Sequence, residues 1–263
     1  MWSSSASFMK EEEQYSIHSK VIITNIMETL MIGAAIAVGA SGIGSTIGIT
    51  MAGRAAEKTS SERGKQFGTN LVFTVLAETP TIYGLLIALI MILNAGRIED
   101  LVNAATLTSD QVFWGAMGAS MVVGITGFFS ALGIGYAASA AIVAMSRKEG
   151  IFGKSLVFVI LPETIVIYGL LVAILITRSL GTFGDAIVVS PGNEVVLFLS
   201  AAVLSLVSLT GYMLGKLGAS GIAALVKSEA TFGRNIVFVV LVESIAIYGV
   251  LVSILMLQAV HVI

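Results

Sequence analysis

The chain of 263 residues contains no cysteine. That excludes a disulfide framework and any thiol-ligated metal. Charge is scarce: Asp, Glu, Lys and Arg make up 11% of residues, against about 25% in ordinary globular domains. The net charge of −2 comes with no basic patch, so nothing points to nucleic acid as a partner. Histidine occurs twice, as His18 and His261, both near the termini. There is no G-x-x-x-x-G-K-[ST] loop to cradle a phosphate and no H-E-x-x-H pair to hold zinc. The chain is expected to have no catalytic site of its own and no cofactor.

What it has instead is apolar length. Hydrophobic residues are 56% of the total. Runs of about 20 or more apolar residues, enough to span a bilayer, fall at about 29–53, 67–93, 112–145, 152–177, 194–226 and 232–260. In hydrocarbon a span must satisfy its own backbone hydrogen bonds, which leaves helices or closed barrels. Runs this long without strict alternation select helices. Residues 1–28 are polar, with Ser3-Ser4-Ser5 and Glu11-Glu12-Glu13. They lack the basic start and apolar centre of a signal peptide, and they read as a disordered extension ahead of the first span.

Inside these runs one pattern occurs three times. Leu76-Ala77-Glu78-Thr79-Pro80-Thr81-Ile82-Tyr83-Gly84 is matched by Leu161-Pro162-Glu163-Thr164-Ile165-Val166-Ile167-Tyr168-Gly169 and by Leu241-Val242-Glu243-Ser244-Ile245-Ala246-Ile247-Tyr248-Gly249. A carboxylate at the centre of a span costs roughly 2.5–3.5 kcal/mol on insertion scales. Three in one pattern point to a device that carries an ion. A Phe-Gly pair precedes each acid, as Phe67-Gly68, Phe152-Gly153 and Phe232-Gly233. At 1.5 Å per residue the offset is roughly 15 Å, half of a ~30 Å hydrocarbon core. The three acids are therefore expected at one depth, near the midplane.

The repeating unit is two helices, which returns the chain to the side it left. Three such units are parallel copies, unlike the inverted halves of many transporters. The boundaries read as 29–93 for hairpin 1, 111–177 for hairpin 2 and 194–263 for hairpin 3, joined by connections 94–110 and 178–193. The first helix of each hairpin is rich in glycine, such as Gly44 and Gly48, Gly133 and Gly135, Gly211 and Gly215. Small residues let helices approach closely in lipid; the second helices are bulkier. This contrast fits a tight inner ring of helices within an outer, lipid-facing one. Basic residues gather at the hairpin turns: Arg54, Lys58, Arg63 and Lys65; Arg147, Lys148 and Lys154; Lys227 and Arg234. The positive-inside rule places those turns in the cytoplasm and both termini on the opposite side.

In an apolar site the neutral form of a carboxyl is favoured, and a nearby cation reverses the preference. Such a group can load, travel neutral and unload. Thr79, Thr164 and Ser244 put a hydroxyl beside each acid, for the site or for the preceding turn of backbone. Tyr83, Tyr168 and Tyr248, five residues on, offer a phenol to hold a neighbouring acid, or simply pack. Pro80 and Pro162 flank two of the acids, and Lys216 inside the fifth span is expected to snorkel to the interface.

The hairpin with a mid-span acid, a following Thr or Ser and then Ile-Tyr-Gly resembles the rotor-ring proteolipid of V-type and A-type rotary ATPases. The run from Gly133 to Leu175, with Ala144-Met145-Ser146-Arg147 at the turn, looks most like the vacuolar and archaeal kinds, here in a triple-hairpin form. The resemblance implies an all-α membrane protein of six transmembrane helices, three tandem parallel hairpins assembling into a homo-oligomeric ring in lipid, in a prokaryotic plasma membrane. It implies a stator membrane subunit whose arginine discharges each acid, and central-stalk subunits at the cytoplasmic turns. It aligns Glu78, Glu163 and Glu243 with the ion-carrying acid. Sodium-carrying members add a glutamine in the first helix of the hairpin. None lies in the first, third or fifth span here, since Gln111 sits at a helix start, so H+ is favoured and Na+ is the alternative. A stand-alone multi-site cation transporter or channel is the competing function.

Overall fold

The computed structural model describes residues 26–60 and 66–263 in full, and the backbone alone for 3–25 and 61–62. Arg63 and Lys65 of the first turn, and the side chains of Lys10, His18 and Lys20, lie outside the described residues. Helix α1 (Ser3–Glu62) is continuous. Neither glycine nor proline occurs between Ser3 and Ile32 to break it, so a helical backbone replaces the expected disordered extension. Past the first turn come α2 (Phe67–Val75), a 3-10 turn at Leu76–Glu78 and α3 (Thr79–Leu93). The connection expected at 94–110 holds a further helix, α4 (Ala95–Asn103). The second hairpin is α5 (Ser109–Arg147) with α6 (Phe152–Ile160) and α7 (Glu163–Ser179). The third is α8 (Val195–Val207) and α9 (Leu209–Lys227), a 3-10 turn at Glu229–Thr231, and α10 (Phe232–Ala259). Among the described residues there is no strand, and six helical stretches are long and apolar enough to cross a membrane. The chain is an integral membrane protein.

Hairpin 2 is central. Its α5 packs on α1 along one side and on α9 along the other, while α7 packs on α3 and more lightly on α10. The glycine-rich helices α1, α5 and α9 thus form one row and the bulkier helices a second. The first row is close enough to require glycine. A Cβ on Gly135 would come 2.5 Å from the Gly48 Cα, and one on Gly133 would overlap the Gly211 carbonyl. A Cβ on Gly215 would in turn fall on the backbone of Gly133.

All three turns lie at one end. The Gln66 amide donates to the Met145 carbonyl at 3.0 Å, and Lys148 donates to the Leu225 carbonyl at 3.2 Å. Lys148 and Lys154 both reach Glu229, at 3.3 and 2.7 Å. The connections meet at the other end. Arg97 donates to the Gly184 carbonyl at 2.6 Å, and Ile98, Leu107, Val189, Val260 and Val262 share one buried cluster with Leu30 and Ile87. A second cluster, with Phe73, Met145, Ile151, Phe158 and Leu225, fills the turn end. The hairpins are therefore parallel, as their repetition requires.

Candidate functional site

In the first two hairpins the acid falls where the α-helix is interrupted, and in the third it does not. Proline has no N–H, so the carbonyl four residues earlier loses its helical donor. Pro80 does this to the Leu76 carbonyl. The Thr79 hydroxyl takes up that oxygen at 2.9 Å, and the helix passes Glu78 as a 3-10 turn before α3 begins. In hairpin 2 the break comes at Leu161 and Pro162, and Glu163 is the first residue of α7. The Pro162 carbonyl accepts from the Ser130 hydroxyl of α5 at 2.7 Å. Hairpin 3 has no proline here, and α10 runs unbroken through Glu243.

The three hydroxyls behave alike. Thr79, Thr164 and Ser244 donate to the carbonyls of Leu76, Leu161 and Leu241 at 2.9, 2.8 and 2.8 Å. Their protons serve the backbone of the preceding turn.

The tyrosines cross between hairpins. The Tyr83 hydroxyl donates to Glu163 Oε1 at 3.0 Å, and the Tyr168 hydroxyl donates to Glu243 Oε1 at 3.2 Å. Five residues turn a helix through about 500° at 3.6 residues per turn, so a tyrosine points away from the acid of its own helix and toward that of the next. Glu163, Glu243, Tyr83 and Tyr168 are half-buried in consequence. Glu78 and Tyr248, at the two ends of the row, are exposed, and no side chain among the described residues pairs with either.

Several contributors escape a reading of the sequence alone. Ser130 is one. Ser45 on α1, 85 residues earlier, has a buried hydroxyl with no partner among the described residues, as does Thr81. The signal was available, because Ser45 and Ser130 are as far apart as Glu78 and Glu163. Gln111 is not near the acids. It is fully buried at the start of α5, donates to the Ile187 carbonyl at 2.7 Å and accepts from the Val189 N–H at 3.1 Å, which fastens the second connection. Lys216 is exposed and lies over two aromatic rings, 5.4 Å from the centre of Tyr212 and 6.0 Å from that of Tyr136. Among the described residues no three His, Cys, Asp or Glu side chains gather as a metal centre would need.

The row of acids sits between the two buried clusters. Ala77, Ile165 and Ala246 beside the acids belong to the turn-end cluster, Val166 to the other, and Tyr168 packs against both.

A family model, that of the ATP synthase C subunit, matches three stretches, residues 32–91, 117–176 and 199–256, one in each hairpin. The A-type ATP synthase subunit K of Methanocaldococcus jannaschii is 35% identical over 228 residues, which cover 86% of this chain and 94% of that protein. The V-type sodium ATPase subunit K of Enterococcus hirae is 30% identical over 139 residues, 53% of this chain and 83% of that protein. The 16 kDa proteolipid of the V-type proton ATPase of Homo sapiens is 31% identical over 149 residues, 55% of this chain and 90% of that protein.

Proposed function

Because the chain belongs to the family of the ATP synthase C subunit, we propose that it is a rotor-ring subunit of a V-type or A-type ATP synthase or ATPase, carrying ions on Glu78, Glu163 and Glu243. The observation that carries this reading is the repeated Tyr83–Glu163 and Tyr168–Glu243 contact. Equivalent acids stand side by side in parallel hairpins, and Glu163 and Glu243 are held the same way by the tyrosine of the preceding hairpin. Their place between the two end clusters supports a common depth near the midplane.

Each acid takes an ion, turns through lipid as a neutral group, and gives it up where a stator cation favours the carboxylate. The tyrosine hydroxyl holds the carboxyl against the ring during that passage. The glycine contacts draw α1, α5 and α9 closer than the outer row, which supports a wall bent toward an inner ring. One acid per hairpin gives three ions per chain per turn. Each charge moved through the membrane gains roughly 2.3 kcal/mol per 100 mV, so many ions per turn suit a motor able to make ATP.

Protons are the preferred ion. A proton needs only the carboxyl, whereas sodium needs a shell of oxygens, and Gln111 of the glycine-rich α5 lies at the start of that helix, fastened to the second connection and not near the acids. The names of the relatives include both ions. The basic turns are assigned to the cytoplasm, where they meet the central stalk, and the membrane to a prokaryotic plasma membrane. The test pairs native mass measurement of the purified protein with carbodiimide labelling, which attacks the protonated carboxyl. A detergent-resistant ring labelled on all three acids supports the function. A monomer whose acids remain unlabelled overturns it and favours the stand-alone transporter.

A further inference from the structure

Pro162 has no N–H, so α7 is not tied back to the Phe158 carbonyl. Across the break run two short backbone bonds, Thr164 N–H to the Leu161 carbonyl at 3.2 Å and Ile165 N–H to the Pro162 carbonyl at 3.4 Å. Such a joint between α6 and α7 is a hinge unless something outside the span holds it. The outside hold is α5. The fully buried Ser130 hydroxyl donates to the Pro162 carbonyl at 2.7 Å, and a Cβ on Gly133, one turn along α5, would come 2.9 Å from the Pro162 Cβ. Glu163 is the next residue, the first of α7.

We propose that Ser130 is the positioning residue of Glu163. It fixes the break at Pro162 against α5, and so sets the direction in which the Glu163 carboxyl leaves toward the Tyr83 hydroxyl, 3.0 Å away. The use of that direction, presenting a loaded acid to a stator, rests on the rotor-ring reading.

The repeats supply the comparison. Ser45 stands 85 residues before Ser130, as Ala77 stands before Pro162. With no proline at 77, the Ser45 hydroxyl is buried without a partner among the described residues. Thr210 stands 80 residues after Ser130, as Val242 stands after Pro162. There α10 is unbroken, and the Thr210 hydroxyl donates to the Val207 carbonyl at 2.9 Å. All three hairpins place a hydroxyl at this point of the glycine-rich row. It is bonded to the acid-bearing span only where that span is broken by a proline just before the acid. Helices in a membrane regain freed backbone stability through such Ser and Thr contacts. The three acids are thus presented by three different backbones, and Glu163 depends on a residue that has no counterpart role at Glu78 or Glu243.

The test uses the assembled protein in four forms: the parent, Ser130→Ala, Pro162→Ala and the pair. Carbodiimide labelling of each acid is read by peptide mass spectrometry across a pH series. Ser130→Ala frees the hinge and loosens the Glu163 carboxyl from Tyr83. The labelling rate at Glu163 should rise about two- to tenfold, the worth of one net hydrogen bond. Its pH profile should part from that of the parent, with Glu78 and Glu243 unmoved. Pro162→Ala lets the helix run through, as it does past Val242, so adding Ser130→Ala to it should change nothing further.

If Ser130→Ala leaves Glu163 unchanged in an intact ring, or moves all three acids alike, the inference fails and the ring reading stands. An equal effect with and without Pro162 also overturns it, because Ser130 then acts elsewhere than at the break. If Ser130→Ala alone does not assemble, the pair should restore the ring, and a pair that also fails to assemble overturns the inference. A parent protein that is monomeric with unlabelled acids removes both.

Discussion

Tyr83 on the first hairpin donates a 3.0 Å hydrogen bond to Glu163 on the second. The bond crosses a hairpin boundary, so on the proposed function the site lies at the junction between neighbouring hairpins, and the packing around each junction sets what a change there should do.

Carbodiimide labelling of the assembled protein should rise as pH falls, because the reagent reads the protonated carboxyl. Added sodium at neutral pH should give little protection. The measurement is labelling of Glu78, Glu163 and Glu243 across a pH series, with and without sodium. Strong sodium protection would show that sodium is the ion carried.

Glu163→Gln should stall the motor although Glu78 and Glu243 remain. On the proposed function a neutral amide cannot load or discharge, and each acid passes the stator in sequence. Ion-coupled ATP synthesis in reconstituted vesicles should fall to near zero. Retention of about two-thirds would mean three independent sites and would favour a transporter.

Gly133→Val should disrupt assembly. Its Cβ would overlap the Gly211 carbonyl, and overpacking of this kind costs typically about 1–3 kcal/mol, more against backbone. Gly96→Ala is the control, since a Cβ there meets nothing within 4 Å and alanine favours helix by at most about 1 kcal/mol. Oligomer yield in detergent and melting temperature should separate the two.

Gln111→Ala should loosen the second connection and spare the acids. It leaves the Ile187 carbonyl and the Val189 N–H without the partner they now have, at about 1–3 kcal/mol for a buried unsatisfied group. Hydrogen exchange should quicken near residues 185–193, while labelling of the three acids stays as in the parent. A change at the acids instead would place Gln111 in the ion path.

The sequence by itself determined the class and the repeat. Length in hydrocarbon demands helices, and the spacing of Glu78, Glu163 and Glu243 with their Phe-Gly markers is one-dimensional information that needs no folding to read. Glycine content also foretold which helices form the close row, because backbone approach depends on a missing Cβ at positions such as Gly48 and Gly135. Tertiary structure alone decided the pairings. Helical periodicity alone turns a phenol five residues past an acid away from that acid, but which neighbouring acid it meets depends on the rotation of each helix about its axis, which packing sets. The hydroxyls of Thr79, Thr164 and Ser244 had two readings, and local geometry assigned their protons to the backbone. The helix α4 was hidden by the polarity of its connection. Gln111 looked idle at a helix start because its partners, Ile187 and Val189, lie more than seventy residues away and meet it only in the fold.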